Sequence, residues 1–141
     1  MRKENAPRSR RLRMTAQRRV ILEELRQVDS HPGAEEVFTM VRRRLPRISL
    51  ATVYRNLDVL AAAGAIARID TGSSLKRFDG NAERHYHIRC IRCDRLVDAM
   101  VEVQKDFEAH VQSKTDFRIL GHTLELTGIC PRCEEQAAER A

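Results

Sequence analysis

Apolar side chains recur at helical spacing three times in the first 60 residues and then shift to strand spacing. Thr15 predicts an N-cap for a first helix with Ile21, Leu25 and Val28 on one face, stopped by His31-Pro32-Gly33. Ala34, Val37, Phe38 and Val41 share one face of a second helix, which carries Arg42-Arg43-Arg44 near its end before Pro46 breaks the chain. Ser49 caps a third, with Leu50, Val53, Leu57 and Leu60 as its apolar stripe, and Gly64 ends it. Ile66-Ala67-Arg68-Ile69 and Leu75-Lys76-Arg77-Phe78 read as short strands around Thr71-Gly72-Ser73-Ser74. Three helices and a hairpin predict a winged helix-turn-helix over residues 1–80, with a hinge at 81–84. Residues 85–141 read as an α/β domain: strands at about 85–91 and 95–98, a helix at about 101–114, and a long strand at about 118–129. That last strand turns Leu124 and Leu126 inward and Thr123, Glu125 and Thr127 outward. The polar tail after Cys133 reads as frayed, and the fold class is α+β.

Charge divides the chain in the same place. Residues 1–80 hold 17 Lys/Arg against 9 Asp/Glu, and residues 81–141 hold 9 against 11. A basic half joined to a mildly acidic half suggests nucleic acid at one end and regulation at the other. Residues 1–13, with Arg2, Lys3, Arg8, Arg10, Arg11 and Arg13, read as a basic arm. Aromatics are only 4% and Trp is absent, so the small core gains from a metal staple or a dimer partner. The longest apolar run, Val59 to Ala67, is far too short to span a bilayer, and the basic N-terminus lacks the apolar stretch of a signal peptide. The expected location is the cytoplasm, with no membrane partner and with reduced cysteines.

The chain's four cysteines form two Cys-x-x-Cys pairs, Cys90/Cys93 and Cys130/Cys133, with 36 residues between them. The two-residue spacer brings both sulfurs of a pair to one ion, and two pairs complete a tetrahedral zinc shell with no open position. Such a zinc is structural rather than catalytic. Two disulfides or a dithiol redox centre are the alternatives, and paired spacing of this kind reads as zinc far more often.

The third helix carries the nucleic-acid argument. Thr52, Arg55 and Asn56 are expected opposite the apolar stripe, with Tyr54 at its edge. Arg55 suits a two-pronged contact to guanine, the Tyr54 ring suits a thymine methyl, and Ser49 with the helix N-terminus suits a phosphate. An ordinary amphipathic helix shows the same pattern about as often; the basic arm favours DNA. His85 and His87 are two apart, so on a strand they face one side, and Cys90 has the other parity. Two imidazoles need carboxylates to complete a site for a divalent ion. Asp79, Asp98 and His31 are candidates, though singly a turn residue, a helix N-cap and a solvated loop histidine explain them too.

The run Ser49-Leu50-Ala51-Thr52-Val53-Tyr54-Arg55-Asn56-Leu57, then His85-Tyr86-His87 and both Cys-x-x-Cys pairs, resembles the ferric uptake regulator family of bacterial metal-dependent repressors, over roughly residues 12–133. The resemblance implies a homodimer that reads palindromic double-stranded operator DNA through its winged helices and dimerises through its C-terminal domain. It implies that Arg13 enters the minor groove and that His31, Asp79, His85, His87 and Asp98 hold a regulatory Fe(II) or Mn(II). One ion bound by residues from both halves would fix the hinge and the spacing of the recognition helices. Asp98, where iron sensors usually carry Glu, and Tyr86 resemble the peroxide-responsive branch, in which Fe(II) directs peroxide onto ligand histidines, here His31 and His85. An iron-responsive repressor of uptake genes is the alternative, followed by a zinc or manganese sensor. Arg84, Tyr86 and Lys105 stand where some relatives hold a further metal site, leaving His122 as its survivor and a hydrogen-bonded strand residue.

An enzyme is not expected. His-x-His with Asp could serve a metal hydrolase, but no Glu or His stands as an obvious general base, and there is no phosphate-cradling Gly loop or Gly-x-Ser-x-Gly turn. A bare zinc-ribbon module would leave the Tyr54-Arg55 helix and His31 without a role.

Overall fold

The structure, a computed structural model, describes residues 11–71 and 75–140. Most of the basic arm and the tip of the expected hairpin, Gly72-Ser73-Ser74, lie outside the described residues. The chain divides into two compact units, Met1–Ala82 and Glu83–Ala141.

The first unit is a winged helix. Helices α1 (Ala16–Arg26), α2 (Ala34–Val41) and α3 (Leu50–Ala62) precede an antiparallel hairpin of β1 (Ala67–Asp70) and β2 (Lys76–Asp79). Thr15 and Ser49 act as the expected N-caps, accepting from the Arg18 and Thr52 amides. Ile21, Leu25, Val37, Val41, Val53, Leu57 and Leu60 make one core with Phe78 from the hairpin. Val28, expected on the apolar face of α1, lies past the helix end and is 37% exposed. Helix α3 ends in a Schellman turn: Gly64 takes φ 74, its N–H donates to Ala61, and the Ala65 N–H donates to Leu60. Without a Cβ, Gly64 enters that left-handed region freely.

The second unit is a three-stranded sheet with two helices. The strands are β3 (Tyr86–Cys90), β4 (Leu96–Ala99) and β5 (Glu125–Gly128), in the order β4-β3-β5. β4 runs antiparallel to β3 and β5 runs parallel to it. A parallel return needs a crossover, and α4 (Lys105–Gln112) lies within it. Helix α5 (Pro131–Glu139) closes the chain.

Several expectations fail here. The strand expected at 118–129 is only four residues long, and Leu124 and Leu126, expected inward, are 39% and 47% exposed. Alternation predicts a face, but nothing among the described residues of this chain buries Leu124 and Leu126 on it. The helix begins at Lys105, not near 101. The tail expected to fray is helical, because Pro131 sits at its first position, where a missing N–H costs nothing, and Glu, Gln and Ala follow.

Candidate metal centres and nucleic-acid interface

The sulfur site joins β3, the turn after it, and the start of α5. Ligand atoms of Cys90, Cys93, Cys130 and Cys133 all lie within 4.8 Å of one another, and Cys93 Sγ is 3.7 Å from Cys130 Sγ. A zinc tetrahedron with bonds of about 2.3 Å has edges of about 3.8 Å, which the Cys93–Cys130 separation matches, so the donor set fits the ion. All four cysteines are free thiols, at variance with a disulfide arrangement. The Cys130 N–H donates to Cys90 Sγ at 3.3 Å. Backbone N–H groups, that of Cys130 first, lower the Cys90 thiol to about 6. The neighbouring sulfurs, Cys130 foremost, push Cys133 up to about 12.

The nitrogen and oxygen donors fall into two groups. In the first unit, His31 Nε2 is 3.1 Å from Asp79 Oδ2, and both side chains are buried. His31 has φ 54, a left-handed conformation unusual for a residue with a side chain. The turn is held against β2: Phe78 N–H donates to the Pro32 carbonyl at 2.9 Å, and Arg77 Nη1 to the His31 carbonyl at 3.4 Å. Gly80 follows Asp79 because a Cβ there would meet the Leu25 carbonyl at 2.9 Å.

In the second unit, His87 lies across from Asp98 in the β3–β4 register. Asp98 Oδ1 is 2.9 Å from His85 Nε2 and 3.5 Å from His87 Nε2. His85 Nδ1–H donates to the Glu83 carbonyl at 2.7 Å, which leaves Nε2 as the ring nitrogen beside the carboxylate, two electron-pair donors that a shared cation would join. Tyr86 and Cys90 are buried on the other side of β3, as the parity of the strand requires. Imidazole nitrogens and carboxylate oxygens suit a borderline-to-hard divalent ion, and the sulfurs suit zinc.

His122 is hydrogen-bonded, but it lies outside any strand. Its Nδ1–H donates to Glu108 Oε1 at 3.0 Å, and Tyr86 donates its hydroxyl proton to Nε2. Arg84 donates to Glu108 at 2.9 Å and to the His122 carbonyl at 2.8 Å. Arg84, then His122, hold the Glu108 carboxyl below the usual range. The sequence reading missed Glu108; its i+3 spacing from Lys105 puts it on nearly the same face of α4, and that was the available signal.

On α3, Tyr54 is 46% exposed and Arg55 is exposed, with Arg55 Nη2 donating to Thr52 Oγ1 at 3.2 Å. Ser49 Oγ lies 2.9 Å from the same hydroxyl. Arg13 is exposed, and its carbonyl accepts from Arg18 Nη1 at 2.7 Å. Asn56 departs from its expected place: it is 7% exposed and accepts from Arg18 Nε at 3.1 Å. Val53, Asn56, Leu57 and Leu60 follow the i, i+3, i+4, i+7 rule, so Asn56 belongs to the packed stripe. Arg18, which ties α1 to α3, was also missed.

The model of a family described as "Ferric uptake regulator family" matches residues 9–127. The peroxide-responsive repressor PerR of Staphylococcus epidermidis is 37% identical over 125 residues, 89% of this chain and 83% of that one. PerR of Staphylococcus aureus strain NCTC 8325 is 36% identical over the same length, covering 84% of its own chain. Among solved structures, the Campylobacter jejuni peroxide stress regulator superposes with TM-score 0.71 at 27% identity, covering 83% of this chain and 88% of that one. The ferric uptake regulator of Pseudomonas aeruginosa with manganese gives 0.68 at 26%, covering 85% and 91%.

Proposed function

The chain belongs to the ferric uptake regulator family, and on that premise we propose that it is a metal-dependent repressor that senses hydrogen peroxide through oxidation of His31 or His85. Its cofactors are a structural zinc and a regulatory divalent metal, Fe(II) or Mn(II). Regulators of this family bind operator DNA as dimers. No helix among the described residues is long and apolar enough to cross a membrane.

The observation that carries the peroxide reading is the convergence of His85 and His87 on one oxygen of the short Asp98 carboxylate, in a chain so similar to PerR repressors. Fe(II) held there would supply the electron that cleaves peroxide beside its ligands. The protein's part is to present imidazoles within reach of a short-lived oxidant. His31 with Asp79 offers two donors, and His85, His87 and Asp98 offer three. Neither set alone satisfies a six-coordinate ion, so one ion drawing on all five is the economical arrangement. Such an ion would tie residues 1–80 to residues 85–141 across 81–84 and set the spacing of two recognition helices in a dimer. An oxidised imidazole is a poorer ligand, and its loss would release both the metal and the operator.

DNA contact is proposed for Arg13, Ser49, Thr52, Tyr54 and Arg55, with Asn56 moved to a supporting role. Exposed Phe117, Leu120, Met100 and Phe107, at 78%, 81%, 92% and 53%, support a second copy covering the C-terminal unit.

The deciding experiment is a mass spectrum of iron-loaded and manganese-loaded protein before and after low peroxide, with operator binding measured in parallel. Iron-loaded protein should gain one oxygen atom on His31 or His85 and lose its operator, and manganese-loaded protein should resist. Unmodified histidines, with repression following iron supply alone, would favour an iron-uptake regulator. Cysteines oxidised first would mark a thiol switch.

A further inference from the structure

Both zinc knuckles carry arginine in the same place, just before the second cysteine: Cys90-Ile91-Arg92-Cys93 and Cys130-Pro131-Arg132-Cys133. The fold brings this repeated position to one surface. Arg92 and Arg132, with Arg140 from the end of α5, line an open groove of about 520 Å³ together with the partly buried Cys93 and the buried Cys133. No carboxylate is among the described residues lining it. Arg92 Nη1 donates to the Cys133 carbonyl at 3.3 Å, which holds its guanidinium beside the second knuckle.

A zinc ion with four thiolates carries two net negative charges. That charge makes bound sulfur a nucleophile, and Cys93, which lines this groove, is only partly buried. We infer that Arg92, Arg132 and Arg140 form a cationic collar over the zinc tetrathiolate that lowers its reactivity toward peroxide. The reaction held back is definite. A thiolate attacks one peroxide oxygen, the O–O bond breaks, an S–O bond forms and hydroxide leaves, with sulfur giving up an electron pair. A second thiolate then displaces the remaining hydroxide, closing a disulfide and removing two ligands from zinc. Each guanidinium stabilises the anionic ground state more than the less charged product. Peroxide is uncharged, so the collar does not steer it. The inference requires zinc at the four cysteines and is independent of which signal the protein senses.

The test uses the full chain with zinc bound and the regulatory site filled with manganese, which excludes iron chemistry. Zinc release into a chromogenic chelator is followed after peroxide addition, with alkylation and mass spectrometry scoring the cysteines. The double variant Arg92→Gln/Arg132→Gln should release zinc roughly 3- to 10-fold faster than the wild-type chain at low salt, the size expected for two partly screened unit charges. The difference should shrink at high salt, and Arg92→Lys/Arg132→Lys should behave as wild type. If the double variant does not retain zinc, Arg140→Gln, one charge fewer and outside both knuckles, should show a smaller acceleration with the same salt dependence. Wild-type rates in the Gln variants would overturn the inference. So would an acceleration that ignores salt and is shared by the Lys pair, since that pattern belongs to a lost hydrogen bond.

Discussion

Asn56→Ala separates reading DNA from holding the reader in place. Asn56 Oδ1 takes the Nε–H of Arg18 at 3.1 Å, and Arg18 reaches on to the Arg13 carbonyl at 2.7 Å. One guanidinium therefore fastens α3 to α1 and to the segment before it. A hydrogen bond from a charged donor is worth about 1.5–3 kcal/mol. Arg18 is half-buried, and water can replace part of the loss, so about 1–2 kcal/mol is expected for Asn56→Ala. For a winged helix of this size that lowers the melting temperature by roughly 5–15 °C. Arg55→Ala, on an exposed side chain, should leave melting within about 0.5 kcal/mol of wild type. Its cost, roughly 1–3 kcal/mol, should fall on specific binding and relax preference at one base pair. Melting by circular dichroism and anisotropy on an operator selected from random duplexes measure both. The reasoning is refuted if Asn56→Ala melts as wild type yet loses preference at a single base pair, because then Asn56 touches a base.

Other outcomes follow from the same geometry. Cys93→Ser should lose zinc, melt at sharply lower temperature and dimerise weakly, since structural zinc is folding free energy; a stable zinc-free dimer by metal analysis and ultracentrifugation would contradict it. Asp79→Ala or His87→Ala should abolish manganese-dependent operator binding with zinc content intact; operator affinity of the native protein that ignores manganese would remove the regulatory site. Deleting residues 1–11, five of which are basic, should weaken binding to all sequences and flatten its salt dependence, which a titration across ionic strength reads directly.

Much of this was legible because local rules agree with the global fold in the first unit. Thr15, Ser49 and Gly64 punctuate the helices where their chemistry dictates, and the apolar spacing of α1, α2 and α3 names the core. The sulfur quartet was legible from spacing, since a zinc knuckle is a local turn. Asn56 was misplaced because a polar residue in an apolar stripe looks like surface until its partner, 38 residues earlier, is found. The second unit was less legible. Parallel pairing of β3 with β5 leaves no local signature, and α4 buries none of its residues in a single chain. Glu108, Arg84 and His122 come together across 38 residues, a distance at which periodicity says nothing.

β3 carries donors of two different characters on its two sides. Its alternation sends His87 to one side and Cys90 to the other, three residues apart, so the hard and soft donors never compete for one ion. The strand also makes their dependence unequal. Cys90 ends β3, and β5, which leads to Cys130, pairs with β3 in register from His87 to Cys90. Zinc would pin both strands at one end, and His87 and its partner Asp98 take their positions from the sheet so fixed. Removing a sulfur should therefore disturb both metals, whereas removing His87 or Asp98 should disturb only one. Under the proposed function, a regulator that gives up its sensing metal and keeps its fold would draw on that asymmetry, which the alternating parity of one strand provides.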